Sequence, residues 1–264
     1  MSYALSDLKS SFANVRLWTF ISAKNIEIQY RRNLLGVFWL VISYAAPALG
    51  IGYVLSRLQG LPLEEHVPHV LLGFVGWLFI NDCLVQGAAA LTRNRNILLQ
   101  APLGRSTFAL SLVVEKMIIL LVNLAVGVGI AAVFGWRPSE TLVFVPLSLL
   151  ILAVAGFGTV LLVSIVSARV RDLSELIGSV MRLAFFFTPI IWSANSRSVP
   201  EESFLSIVAR YNPLTYFIDV LRLPVLGQWP DTLTLAVSGG IAALVLVLGL
   251  IALQLGGRTV AFFV

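Results

Sequence analysis

An uncharged run at residues 34–56 constrains this chain more than any other feature. Its 23 residues include no acidic or basic side chain. The hydrocarbon core of a bilayer is about 30 Å thick, and a helix needs about 20 apolar residues to cross it. Because backbone groups in lipid must be hydrogen-bonded within the segment, the run predicts a membrane-spanning α-helix. Arg31 and Arg32 precede it, and positive charge beside a first span favours the cytoplasmic side.

Composition places the whole chain in the same class. Hydrophobic residues make up 58% of the 264 positions and charged residues only 12%, whereas soluble domains carry about 25% charged residues. A net charge of +5 suits basic loops that face anionic lipid, so no nucleic-acid partner is predicted. Cys83 is the single cysteine, which excludes a disulfide within the chain.

Apolar runs separated by charged loops predict an all-α membrane protein with six transmembrane helices. The spans are expected at about 34–57, 70–90, 106–134, 141–168, 176–194 and 232–257. Eleven basic residues fall on the side of the N-terminus and five on the other, which favours cytoplasmic N- and C-termini. The expected domains are an N-terminal amphipathic interfacial region, 1–33, and one six-span domain, 34–264.

Two segments outside the spans have short amphipathic patterns. Apolar residues at three- and four-residue steps in 5–18 predict one helix over 5–28 that lies in the membrane surface, or packs on a partner subunit. Asn212 and Pro213 predict a helix start. The helix that follows has an apolar stripe along one face, and Asp219 and Arg222 do not lie on that stripe. Together with residues 204–208 this predicts an outer re-entrant helical hairpin between spans 5 and 6.

Charged side chains inside predicted spans need a reason, because burying charge in lipid is costly. Asp82, Glu115 and Lys116 either pair with a neighbouring helix or snorkel to water, or they line a polar transport path. Glu115 and Lys116 are adjacent, so they are expected to point about 100° apart and not to pair with each other. Arg182 either meets an anionic headgroup or snorkels to the interface.

Catalytic and metal-binding patterns are absent from the sequence. None of the three lysines follows the glycines of a phosphate-binding loop, so no ATPase site is predicted in this chain. Neither H-E-x-x-H nor G-x-S-x-G occurs, so no catalytic residues are predicted. His66 and His69 lie beside two glutamates, and we expect a solvated loop at 57–67 there, not a metal site.

Four stretches resemble the membrane subunit of ABC exporters for lipid-linked polysaccharides such as O-antigen, capsule and teichoic acid. Residues 30–39, YRRNLLGVFW, are similar to that family's Y-[KR]-x-[ST]-x-L-G-x-x-W junction, with Asn33 where serine or threonine is usual. The loop 94–104, the triplet RDL at 171–173 and the sequence YNPLT at 211–215 resemble its first cytoplasmic loop, its R-D-[LIV] and its N-P-[LMF]-[TS].

The resemblance implies a permease that works as a homodimer with two copies of a separate ABC ATPase subunit. ATP and magnesium would bind to that partner, so no cofactor is expected on this chain. The substrate would be a polyprenyl-pyrophosphate-linked glycan, as in lipopolysaccharide biosynthesis, carried across the inner membrane. An ABC permease for a small amphiphile, or an ion-coupled carrier using Asp82 or Glu115, remain alternatives.

The resemblance also assigns roles to residues. Coupling to the ATPase subunit is expected at Arg31, Arg32, Asn94, Arg95, Ile97, Leu98 and Pro102. The substrate path is expected at Trp39, Tyr44, Arg182, Phe185, Phe186, Phe187 and Trp192. The outer re-entrant region is expected at Tyr211, Asn212 and Pro213.

Overall fold

The structure is a computed structural model that describes residues 3–31, 36, 38–100, 103–170, 172–192 and 204–257. All regular elements within these ranges are helical. They are α1 (Tyr3–Ala13), α2 (Val15–Arg31), α3 (Phe38–Gln59), α4 (Leu63–Ala88), α5 (Ala90–Arg93), α6 (Arg95–Gln100), α7 (Arg105–Val133), a 3₁₀ turn (Glu140–Phe144), α8 (Val145–Arg169), α9 (Asp172–Phe187), α10 (Phe204–Tyr211), α11 (Pro213–Val225) and α12 (Thr232–Gly256).

Five helices are long and apolar enough to cross a bilayer. They are α3, α4, α7, α8 with its preceding 3₁₀ turn, and α12. These confirm five of the predicted spans, and the chain is a multi-pass all-α membrane protein. The remaining predicted span corresponds to α9, which has 16 residues and therefore a length of about 24 Å, short of the ~30 Å core. Six spans stay a prediction.

Helix α4 lies at the centre of the bundle. It packs against α3, α7, α8, α9 and α11, and 61% of its most apolar stretch is buried. Gly76 permits the close approach of α11, because a Cβ atom there would lie 3.3 Å from the Cα atom of Ile218. The other spans surround α4 and keep apolar faces exposed, as lipid contact requires.

The pair α8 and α12 forms the most extensive helix contact. A Cβ atom on Gly158 would lie 2.5 Å from the Cα atom of Leu246, and one on Gly249 would lie 2.6 Å from the carbonyl oxygen of Gly158. Small residues let helix backbones approach closely in membranes, where dispersion contacts replace the hydrophobic effect as a driving force. The two helices therefore interlock through their main chains.

The N-terminal region consists of two helices, so the prediction of one helix over 5–28 is wrong in this respect. The helix is interrupted at Asn14, whose side chain donates a hydrogen bond to the carbonyl oxygen of Ser10 at 2.8 Å. Asn side chains compete for backbone groups in this way and interrupt helices. Leu5 and Phe12 are exposed, as a membrane-facing surface needs, and the interfacial position stays a prediction.

The N-terminal helices dock on α7 through polar side chains. The Asp7 carboxylate accepts hydrogen bonds from the backbone N–H groups of Arg105, at 2.7 Å, and Ser106, at 3.0 Å. It thereby caps the start of α7, whose first N–H groups have no partner within the helix. Ser11 contacts Thr107 through its hydroxyl at 2.8 Å, so the start of α7 is fastened to α1.

The predicted solvated loop at 57–67 is wrong. Helix α3 continues to Gln59 and α4 begins at Leu63, so only residues 60–62 connect them. His66 and His69 are consequently helical, and His66 is only 5% exposed. Acidic residues at 64 and 65 occupy the first turn of α4, where negative charge is favoured by the helix dipole, and this explains the early start.

Candidate transport site

Four of the seven residues expected to couple to an ATPase subunit lie on or beside α6. Leu98 is 4% exposed and anchors this short helix to the body, whereas Ile97 is 42% exposed. Arg95 is also exposed, and the Asn94 side chain donates to the carbonyl oxygen of Ala90 at 2.8 Å. Pro102 lies outside the described residues. Helix α6 thus combines one buried anchor with an exposed basic and apolar face.

Arg31 ends helix α2 and is exposed. Its guanidinium lies 3.5 Å from the Glu27 carboxylate, and the Lys24 ammonium lies 2.5 Å from the same group. These neighbours, Lys24 foremost, hold the pKa of Glu27 below its usual value. Arg32 lies outside the described residues. Such exposed pairs contribute little to stability, so Arg31 remains available for another partner.

The substrate-path candidates divide between two surfaces and the interior. Trp39 on α3 is 48% exposed, and Phe186 and Phe187 on α9 are 64% and 43% exposed. Arg182 is exposed and donates to the hydroxyl of Ser179 at 2.9 Å. Helices α3 and α9 both pack on α4, so one central helix carries both aromatic surfaces.

The other aromatic candidates lie deeper. Phe185 makes edge contacts with Phe74 and Trp77, each with ring centroids 5.5 Å apart. Tyr44 is 1% exposed, and its hydroxyl donates to the carbonyl oxygen of Leu71 at 3.0 Å. The Trp192 indole N–H points to the carbonyl oxygen of Phe186 at 3.4 Å. These side chains hold α3 and α9 on α4.

The predicted helix start at Asn212 and Pro213 is confirmed. The Asn212 side-chain oxygen accepts from the backbone N–H of Leu214 at 2.9 Å, and Pro213 is the first helical residue. The Asn212 amide also donates to the Thr188 hydroxyl at 2.9 Å, which ties α11 to the end of α9. Tyr211 is 79% exposed. The re-entrant position of α10 and α11 stays a prediction.

Arg222 occupies a different place from the one predicted. Its placement off the buried stripe of α11 is wrong, because the side chain is only 4% exposed. The guanidinium donates to the carbonyl oxygen of Pro189 at 2.8 Å and to Nε2 of His69 at 2.9 Å, and it pairs with Asp219. A guanidinium only donates hydrogen bonds, so Nε2 of His69 accepts. Arg222 therefore joins α4, α11 and the segment after α9.

Three of the four charged side chains that lie inside predicted spans form one cluster, and Arg182 is not part of it. The Lys116 ammonium on α7 lies 3.3 Å from the Asp82 carboxylate on α4 and 2.8 Å from that of Glu115. The expectation that Glu115 and Lys116 do not pair is wrong, because both long side chains turn toward the same interior. The second Glu115 oxygen accepts from the Asn25 amide on α2 at 3.0 Å. The cluster links α2, α4 and α7 and gives each buried charge a partner.

These features describe a polytopic membrane protein with a buried ionic cluster, and buried charges within membrane helices mark a candidate transport path. The described residues combine a polytopic helical bundle with an interior ionic cluster, and they contain no group of three metal-ligating side chains. The chain belongs to the ABC-2 type transporter family, whose family model matches residues 16–226. It is thus a permease of the ABC-2 type, and this family implies a partner ATPase subunit.

Two curated proteins are similar to the chain over most of its length. The O-antigen export system permease protein RfbA of Klebsiella pneumoniae is 23% identical over 203 residues, which cover 76% of this chain and 77% of that protein. The protein of the same name from Myxococcus xanthus is 21% identical over 196 residues, which cover 72% and 73%.

Proposed function

We propose that this chain is the membrane subunit that exports an O-antigen-like polysaccharide, linked to polyprenyl pyrophosphate, across the inner membrane. One observation carries the proposal most directly: the similarity to two O-antigen export permeases extends over 76% and 72% of this chain. A likeness of that extent covers the helical bundle and not only a local motif. The N- and C-termini lie in the cytoplasm in this proposal, in accord with the basic side of the sequence.

The energy source in this proposal is a separate subunit that binds ATP and magnesium, with two copies on a permease homodimer. Helix α6 offers a docking surface, because Leu98 fixes it to the body while Arg95 and Ile97 are exposed. Arg31 adds positive charge at the end of α2. The hydrogen bond from Asn25 on α2 to Glu115 on α7 supplies a route by which movement at the end of α2 reaches a membrane-spanning helix.

The homodimer places the exposed aromatic surfaces of α3 and α9 along the substrate path. Trp39, Phe186 and Phe187 supply flat faces that suit sugar rings and lipid chains alike. Arg182 supplies a cation at the edge of the α9 surface, where an anionic pyrophosphate headgroup is attracted. The path therefore combines an apolar part for the carrier lipid with aromatic contacts for the glycan.

The decisive experiment is purification of the chain with the ATPase subunit encoded beside it, followed by ATPase assays with and without the lipid-linked glycan. We expect a complex with two copies of each subunit whose ATP hydrolysis the glycan stimulates. Stimulation only by small amphiphiles would favour a drug or lipid exporter. Failure to form any complex would favour an ion-coupled carrier.

A matched pair of variants locates the docking surface. Ile97→Asp should weaken co-purification of the ATPase subunit, because it places a charge on the exposed face of α6. Leu58→Asp places an aspartate at another exposed aliphatic residue, which is 76% accessible and lies beyond the opposite end of α4, and should leave the complex intact. Equal loss of complex in both variants would refute the assignment of α6.

A further inference from the structure

A pocket lined by both polar and apolar side chains lies between α2, α3, α4 and α7, next to the ionic cluster. Its volume is about 220 Å³, well above the ~10–15 Å³ that a single water molecule requires. Each of the four helices contributes polar side chains to its lining: Gln29, Ser43, Asp82, Gln86, Lys116 and Asn123. A pocket of this kind is unusual inside a helical membrane bundle, where polar side chains are costly.

The spacing of the polar residues shows why they converge. Asp82 and Gln86 are four residues apart on α4, and Lys116 and Asn123 are seven residues apart on α7. Residues separated by four or seven positions lie on the same face of a helix. Two spanning helices therefore present polar faces to each other, over about one turn of α4 and two turns of α7, which is more than one ion pair needs.

Asn123 and Lys116 are the members of the lining with a buried polar atom that makes no hydrogen bond among the described residues, and of these Lys116 is held by two ion pairs. Asn123 is 3% exposed, and its side-chain oxygen has no hydrogen-bond partner among the described residues. A buried polar atom without a partner destabilises a fold, and native structures contain few of them. The Asn123 oxygen thus remains free to accept a hydrogen bond from a ligand in the pocket.

The charges of the pocket select the kind of ligand. Two carboxylates, on Asp82 and Glu115, meet a single ammonium on Lys116, which opposes entry of a phosphate. Amide, hydroxyl and carboxylate groups side by side supply both donors and acceptors, as neutral hydroxyl groups require. The Asp82 side chain is 26% exposed, so the pocket can be reached from outside the subunit.

We propose that this pocket binds sugar hydroxyl groups of the transported glycan, while the anionic part of the carrier lies elsewhere. The inference rests on the proposed function and adds the site at which the glycan is held. The Asn123 oxygen accepts a hydrogen bond from one hydroxyl, and the exposed Asp82 carboxylate accepts from another. Sugar recognition in this subunit thus occurs within the membrane-spanning bundle.

The test measures ATP hydrolysis by the permease–ATPase complex in lipid nanodiscs as the concentration of lipid-linked glycan is varied. Asn123→Leu should raise the glycan concentration for half-maximal stimulation roughly tenfold, the expected effect of losing one buried hydrogen bond. Its thermal midpoint should equal or exceed that of the wild type, because the change removes an unsatisfied polar atom. Asn81→Leu, on α4 but outside the pocket lining, is the matched control and should behave like the wild type.

The outcomes distinguish a failure of the pocket assignment from a failure of the proposed function. If the wild type responds to glycan and Asn123→Leu shows the same half-maximal concentration, the pocket assignment is overturned while the proposed function stands. If the wild type shows no response to glycan, both are overturned. Gln86→Leu is a second pocket variant at a half-buried position, and it should also raise the glycan concentration for half-maximal stimulation. It provides the test if Asn123→Leu cannot be purified in folded form.

Discussion

Replacing Gly158 by alanine tests whether the α8–α12 interlock determines the stability of the bundle. The new Cβ atom would lie 2.5 Å from the Cα atom of Leu246 and 2.7 Å from the carbonyl carbon of Val245. Ordinary contacts between carbon atoms are about 3.5–4.0 Å, so the helices must separate by about 1 Å. Both obstructing atoms belong to the main chain, and no change of rotamer can relieve the clash.

The magnitude follows from two opposing effects. Overpacking of this kind costs about 1–3 kcal/mol, and the upper part of that range applies because a whole helix must move. Alanine has a better helix propensity than glycine by about 1 kcal/mol. We therefore expect Gly158→Ala to lower the free energy of unfolding by about 1–2 kcal/mol.

The assay is reversible unfolding of the purified protein in mixed micelles, with helical content measured as denaturing detergent is added. Gly240→Ala on α12 is the matched control, because nothing lies within 4 Å of the added Cβ atom. It should be as stable as the wild type or slightly more stable. If Gly158→Ala unfolds at the same detergent fraction as Gly240→Ala, the interlock does not contribute as argued.

Three further substitutions test the polar contacts. Asp7→Ala should lower the free energy of unfolding by about 1–2 kcal/mol, because it removes the cap of α7. Ser6→Ala, on the exposed side of α1, is the control and should leave the free energy of unfolding unchanged. Equal melting temperatures of the two variants would contradict the cap. Lys116→Met should cost about 3–5 kcal/mol by leaving the buried Glu115 carboxylate and the partly exposed Asp82 carboxylate without a cation, and normal yield and melting temperature would refute this. Arg222→Met should cost about 2 kcal/mol through the unpaired carbonyl and imidazole acceptors, whereas the exposed Arg210→Met should change the melting temperature little.

Much of the fold follows from the sequence because the thickness of the bilayer sets the length of the uncharged runs that cross it. The run before Arg169, for example, predicted a span at 141–168, and the observed turn and helix cover Glu140–Arg169. The start of α11 was also predictable, because Asn212 and Pro213 act on their own immediate neighbours. Local chemistry of this kind leaves a clear pattern in one sequence.

The contacts that organise the candidate site left no such pattern. His69 and Arg222 are 153 positions apart, and Asn25 and Glu115 are 90 apart, so only the packing of the helices brings them together. The charge of Asp82 within an apolar run marked it as an unusual residue in a span but indicated no partner for it. Burial of a charged residue depends on what faces it across the bundle, which one sequence does not state.

The glycine interlock gives the molecule an internal reference distance. Main-chain contact at Gly158 and Gly249 prevents α8 and α12 from sliding or rotating against each other without steric clash, so they must travel together in any rearrangement. Spectroscopic labels at Leu150 and Leu244, both exposed, should therefore keep a constant separation through a cycle of ATP binding and hydrolysis. Displacements of every other helix can then be measured against this pair.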